Sequence, residues 1–354
     1  MKQDKTFFAQ LITIIFTIIF MGALSAKADI KVVTTIKPLH SLISNVMDGI
    51  GEPSLIIEGS TSPHSFVLKP SHAKLIEQAD IIFWIGEDIE TFMEKPLESI
   101  AKNAKKVSFM ELSSIEKLKF REENIFEHED HDDHGHGEKK DHDDHGHDEK
   151  KDHDDHGHGE KKDHDDHGDG EKKDHDDHGD GHEGHHHGEF DAHIWLDPAN
   201  AKEMLHEIAH ELADLDPANA DKYESNADNT IKSIDDMISS VNSSINKDAT
   251  FIVFHDAYQY FEKRFGVATA GALTLNTDVL PGAKQISEIQ EVIAEREIKC
   301  IFSEPQFNPK IIETIAQDTG IKTGVLDPLG SIFDAGKSQY FTLINDLGDK
   351  LKDC

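Results

Sequence analysis

Cysteine is almost missing from this 354-residue chain: Cys300 and Cys354 are the only two. With no CxxC pair and so wide a separation, a zinc–thiolate centre has no ligand set. In an oxidising compartment the two thiols most simply form one disulfide, closing a loop of about 54 residues and stabilising by about 2–4 kcal/mol; two free thiols are the alternative. An excess of basic charge is missing as well. Lys and Arg number 36 against 70 Asp and Glu, for a net charge of -34. That balance argues against nucleic acid or an anionic membrane as the main partner and makes cations the natural counterparts. Apolar residues are scarce too, at 36%, against about 45–50% for globular chains when glycine is counted. Some long segment should therefore have no core, although about 150 residues per domain still leaves room for roughly two.

The deficit has an address. Residues 127–189 hold 26 acidic and 8 basic residues, a local charge of -18, together with 18 of the 25 histidines. The other 291 residues carry the remaining -16. Within the stretch, EKKDHDDHG begins at Glu138, Glu149, Glu160 and Glu171. An 11-residue period marks a right-handed coiled coil only where apolar seam residues exist, and here there are none. The segment is expected to be a disordered loop. Its imidazoles beside carboxylates, among them His131, His134, His136, His142, His145, His147, His153, His156 and His158, suit several weak auxiliary sites for zinc, copper or nickel.

At the N-terminus, Lys2 and Lys5 precede an apolar run from Phe7 to Leu24 and then Ala26-Lys27-Ala28. This is the charged, apolar and A-x-A pattern of a secretory signal peptide, with cleavage expected after Ala28. No Cys follows to take a lipid, and no later segment is apolar enough to span a bilayer. An exported, periplasmic protein is expected.

From Asp29 the pattern alternates β-branched runs with helical stripes: strand 30–36, a helix from Leu39, strands 54–57 and 81–85, and a helix over about 90–103. After the low-complexity stretch, 199–212 has a helical stripe, and Pro217 opens a helix running to about Ile245. Strands at 250–254, 267–273, 300–302 and 322–326 then alternate with helices at 257–265, 283–295, 309–319 and from Lys337. The predicted fold class is α/β, two lobes with parallel sheets joined by a long helix, with a metal cleft between them. The predicted division is signal peptide 1–28, N-terminal lobe 29–126, His/Asp-rich loop 127–189, end of that lobe 190–216, linking helix 217–245 and C-terminal lobe 246–354.

Seven histidines lie outside the loop. His64 stands in a Gly/Ser/Pro loop, His193 in DAHIWLDP before a helix, and His255 in VFHDAY at the end of an apolar strand. Three neutral imidazoles suit zinc and leave one tetrahedral position open. Asp327 in LDPLG is a candidate for it, equally a turn or cap residue, and water is another. Asp256 and Asp191 could orient a ligand or serve as caps. His40 and His72 read as structural. His206 and His210 form HEIAH, the HExxH string of zinc proteases with Glu207 as base, but on a helix face whose stripe is already core and without a third ligand in metzincin spacing.

TTIKPLHSL, SPHSFVLKPS, the acidic His-rich insert, DAHIWLDP, FHDAY, SEPQF and LDPLG together resemble the zinc-specific periplasmic solute-binding proteins of ABC transporters, the ZnuA-like group, over essentially the whole mature length. The resemblance implies a non-enzymatic monomer that holds zinc between two lobes joined by a rigid helix and passes it to the permease and ATPase of a zinc ABC transporter, with an accessory periplasmic zinc carrier as a further partner. It implies His64, His193 and His255 as ligands, Asp327 as candidate fourth, and the Cys300–Cys354 disulfide. Some zinc members carry Glu directly before the first ligand His, where this chain has Pro63. Related manganese and iron binders carry a carboxylate in place of His255, so three imidazoles favour zinc. The alternatives are a secreted zinc hydrolase using HEIAH, or a binder of manganese or another divalent metal.

Overall fold

The structure, a computed structural model, describes residues 30–125, 188–275, 277, 279 and 281–354. The signal-peptide expectation and the auxiliary histidines from His131 to His158 fall outside these residues.

The first lobe runs β1 (Val32–Thr34), α1 (Lys37–Val46), β2 (Ser54–Leu55), α2 (Pro70–Gln78), β3 (Ile81–Trp84), α3 (Glu94–Ser99) and β4 (Lys105–Ser108). Its strands form one parallel sheet in the order β2-β1-β3-β4. β1 (Val-Val-Thr) and β3 (Ile-Ile-Phe-Trp) are buried at every residue, as expected for central parallel strands covered by helices on both faces. β4 was not expected from the sequence. It opens with exposed Lys105 and Lys106, and such lysines suit an edge strand that must not pair further. The helix expected over 90–103 is reduced to α3, because Glu90 turns inward and accepts a 2.7 Å hydrogen bond from the Ile85 amide.

Two long helices follow, α4 (Pro198–Leu215) and α5 (Ala220–Ser244). Asp197 caps α4 by accepting from the Ala199 amide at 2.8 Å, and Pro198 occupies the first turn where its missing N–H costs nothing. The 25 residues of α5 span about 38 Å at 1.5 Å per residue. Tyr223, Ala227, Thr230, Ile234, Met237 and Val241 form its buried stripe.

The second lobe runs β5 (Phe251–His255), α6 (Gln259–Phe265), β6 (Gly271–Thr274), α7 (Ala283–Glu295), β7 (Cys300–Ser303), α8 (Lys310–Thr319), β8 (Lys322–Val325) and α9 (Gln339–Leu351). Its parallel sheet has the order β6-β5-β7-β8, the same arrangement as the first. The expected α/β architecture, two lobes and a long helix, is therefore what forms. In each sheet the connections leave the first strand in opposite directions, which opens a crevice at the strand carboxyl ends. For the second sheet that point lies between β5 and β7.

The last helix packs on α1 and α5. Gly348 is needed at that contact, since a Cβ there would stand 2.9 Å from a methyl of Val241. A disulfide from Cys354 to Cys300 fastens the chain end to the start of β7. Among the described residues, no helix is long and apolar enough to cross a membrane.

Candidate metal centre

Three side chains reach one point by different routes. His64 sits in the short turn Pro63–Ser65, where Ser62 Oγ accepts the His64 amide at 3.3 Å. His193 follows the stretch in which the Asp191 amide donates to Leu118 O and Tyr260 Oη donates to Asp191 O. His255 is the last residue of β5, at the crevice of the second sheet.

The same device orients two of the rings. Asp191 Oδ1 accepts both the backbone amide of His193, at 3.0 Å, and its ring Nδ1, at 2.7 Å. Glu304 Oε1, one residue past β7, accepts the amide of His255 at 3.3 Å and its Nδ1 at 2.7 Å. A proton held on Nδ1 by a carboxylate leaves the lone pair on Nε2, the form that binds a metal.

Those Nε2 atoms converge. His193 Nε2 lies 3.4 Å from His64 Nε2 and 3.3 Å from His255 Nε2, and all three lie within 4.8 Å of one another. Ligands at about 2.0–2.1 Å from a tetrahedral zinc ion stand about 3.3–3.4 Å apart. The two nearest spacings are thus those of a zinc-bound set. The cavity they line is about 10 Å³, room for about one water or ion. Pro63, Trp195, Phe307, Pro328 and Leu329 supply its apolar walls.

Burial sets the protonation. It pushes the His193 imidazole well below 6.5, and the neighbouring His255 adds to that. His255 is also penalised by burial, but Glu304, together with Asp256 and Asp191, raises it above 6.5 on balance. Burial raises Asp191 to about 7 even though the His193 amide favours its charged form. Glu304 is likewise raised by burial, opposed by His255. A buried imidazole held neutral at His193, with carboxylates behind it and behind His255, makes a site that gains from a dication.

Asp327 is not brought into this group. Its Oδ1 accepts from Gln306 Nε2 at 2.7 Å and the Leu329 amide at 3.2 Å, and its Oδ2 from Ser331 Oγ at 2.8 Å and the Ile332 amide at 3.2 Å. It braces the loop that carries Pro328 and Leu329, the turn role considered for it. Asp256 neither orients His255 nor caps α6. Its Oδ1 instead takes Arg121 Nη1 at 2.7 Å, and the same guanidinium reaches Glu262 Oε2 at 2.8 Å. The residue that orients His255 is Glu304, which sequence spacing could not single out because it comes from the neighbouring strand.

His40 and His72 are structural as read: His40 Nε2 contacts Pro53 O, and His72 Nδ1 accepts the Lys69 amide. His206 and His210 lie on α4, on the exposed side of its core stripe.

A two-lobed α/β frame that gathers three histidines, one at the end of a central strand and two from turns, has the make-up of a metal-binding receptor of the solute-binding class. The family model described as the ZnuA zinc-uptake complex component A, periplasmic, matches residues 32–354, and this chain belongs to that family. It is 44% identical over 337 residues to the high-affinity zinc uptake system protein ZnuA of Brucella abortus (strain 2308), covering 95% of this chain and 94% of that protein. The protein of the same description from Haemophilus influenzae is 39% identical over 345 residues, with 97% of each chain covered. A solved structure of ZnuA superposes with a TM-score of 0.66 over 92% of this chain and 99% of the other, at 19% identity.

Proposed function

We infer that this chain captures zinc in the periplasm with high affinity and delivers it to the permease and ATPase of an ABC transporter. The observation that carries the reading is the convergence of Nε2 from His64, His193 and His255 at tetrahedral zinc spacing. These three imidazoles are the ligands and water takes the fourth position. Asp327 supports the loop beside the site. His64, the half-exposed member, guards the entrance, while His193 and His255 are buried.

The protein acts as a monomer after cleavage behind Ala28, and its chemistry is binding rather than catalysis. Two of the nearby carboxylates, Asp191 and Glu304, are engaged by the ring Nδ1 atoms of His193 and His255 and so serve to orient ligands, which supports the binding reading. The histidines of residues 127–189 collect zinc at weak, exchanging sites and raise the supply available to the three-histidine site, a role that an accessory periplasmic zinc carrier would share.

Replacing His64 with Ala tests the ligand set. Losing even a supporting partner weakens a metal site about 10–100-fold, and losing a direct ligand should cost more, read by competition with a chromophoric chelator. Unchanged tight binding would remove His64 from the set.

A further inference from the structure

The HEIAH string has no part in the cleft. It lies on α4, whose antiparallel neighbour α5 follows directly after the turn Pro217–Asn219. In a helical hairpin, residues equally far from the turn face each other. Counting outward from Pro217, His210 and Glu224 are each seven residues away, and His206 and Asp228 are each eleven. Within each helix the two members are four residues apart and share a face.

The structure has this facing. His206, His210, Glu224 and Asp228 line one open cavity of about 290 Å³, together with Ala209 and Ala227. The four polar side chains are exposed and the two alanines buried. Small residues at the contact keep the helices close and leave space above them. Asp214, one turn beyond His210, brings another carboxylate, with Oδ2 3.9 Å from His210 Nε2.

We propose that this hairpin cleft is a second divalent-metal site, in which His206 and His210 supply imidazole nitrogen and Glu224 and Asp228 supply carboxylate oxygen to zinc, nickel or copper. Imidazole selects these borderline ions over calcium and magnesium, and two carboxylates neutralise the dication. Its character differs from that of the cleft site. Among the described residues only His64, His193 and His255 already have ligand atoms gathered within 4.8 Å. The hairpin side chains must be ordered by the ion, and that entropy loss makes the site weaker. The hydrolytic HExxH reading fits it poorly: Glu207, the base of that reading, does not line the cavity, and its carboxyl is raised by burial and by Glu211, with His210 and Lys105 opposing.

The test uses the full chain. Crystals soaked in zinc and measured at the zinc edge should show one anomalous peak on the three cleft histidines and another between α4 and α5, within ligand distance of an imidazole and a carboxylate. His206→Gln/His210→Gln should abolish the second peak and leave the first. In solution, with histidine ring nitrogens labelled, zinc or nickel added beyond saturation of the cleft should shift the His206 and His210 resonances. Glu224→Gln/Asp228→Asn should weaken that response by about tenfold or more, the scale on which metal sites lose affinity when a partner is removed. Because all four side chains are exposed, the metal-free melting temperature should not change in either variant. The proposal is overturned if millimolar zinc gives neither a peak nor a resonance shift, or if the shift persists undiminished without the two carboxylates.

Discussion

Glu304 accepts a 2.7 Å hydrogen bond from Nδ1 of His255 across the gap between two neighbouring strands. That contact determines which ring nitrogen faces the cleft. Asp191 does the same for His193 through a contact only two residues long in sequence. A long-range and a local carboxylate thus perform one task, and Glu304 is expected to support zinc binding without itself being a ligand.

Glu304→Gln keeps an acceptor at the same place and removes its charge. Zinc affinity should fall by about 10–100-fold, the usual cost of altering a partner behind a ligating histidine, while one zinc still binds. Chelator competition measures the change. An affinity equal to wild type would mean that Glu304 only packs.

Acidification should weaken zinc binding, because protons and zinc compete for the same nitrogens. His193, pushed well below 6.5 by burial, stays neutral and available. His255, raised above 6.5 by Glu304 against the penalty of burial, takes up a proton first as pH falls. Loss of affinity should therefore begin above pH 6.5, with net proton release on binding. Calorimetry in buffers of different ionisation enthalpy reads this release directly. A flat affinity from pH 8 to about 6, where an ordinary histidine titrates, would contradict the assignment.

The Cys300–Cys354 bond joins β7 to the chain end across a sequence separation of 54. Replacing both cysteines with Ala should cost about 2–4 kcal/mol of stability. Zinc affinity should change little, since Glu304 and His255 are held by the sheet. Thermal denaturation in the presence and absence of zinc separates the two effects. A large loss of affinity in the natively folded variant would show that the bond positions Glu304.

The three imidazoles were legible in the sequence because each stands at a loop or strand end near polar neighbours, His255 at the close of an apolar strand, His64 in a Gly/Ser/Pro loop and His193 just before a helix. Their supporting carboxylates were legible only in part. Asp191 was noticed because it is two residues from His193, whereas Glu304 is 49 residues from His255 and meets it only through the pairing of β5 with β7. Adjacency favoured Asp256 instead, yet in a strand successive side chains point to opposite faces, and Asp256 turns to Arg121. β4 escaped notice because half of it is exposed lysine. α3 was drawn too long because nothing local revealed that Glu90 folds back onto the Ile85 amide.

Specific zinc binding is proposed for the cleft rather than for the His-rich stretch. Zinc-edge crystallography of the protein lacking residues 128–187, loaded with one equivalent of zinc, tests it most directly. One fully occupied zinc on Nε2 of His64, His193 and His255, with water as fourth ligand, is the expected result. Tight zinc lost along with the deleted residues, or zinc held elsewhere while the three imidazoles stay vacant, would contradict it.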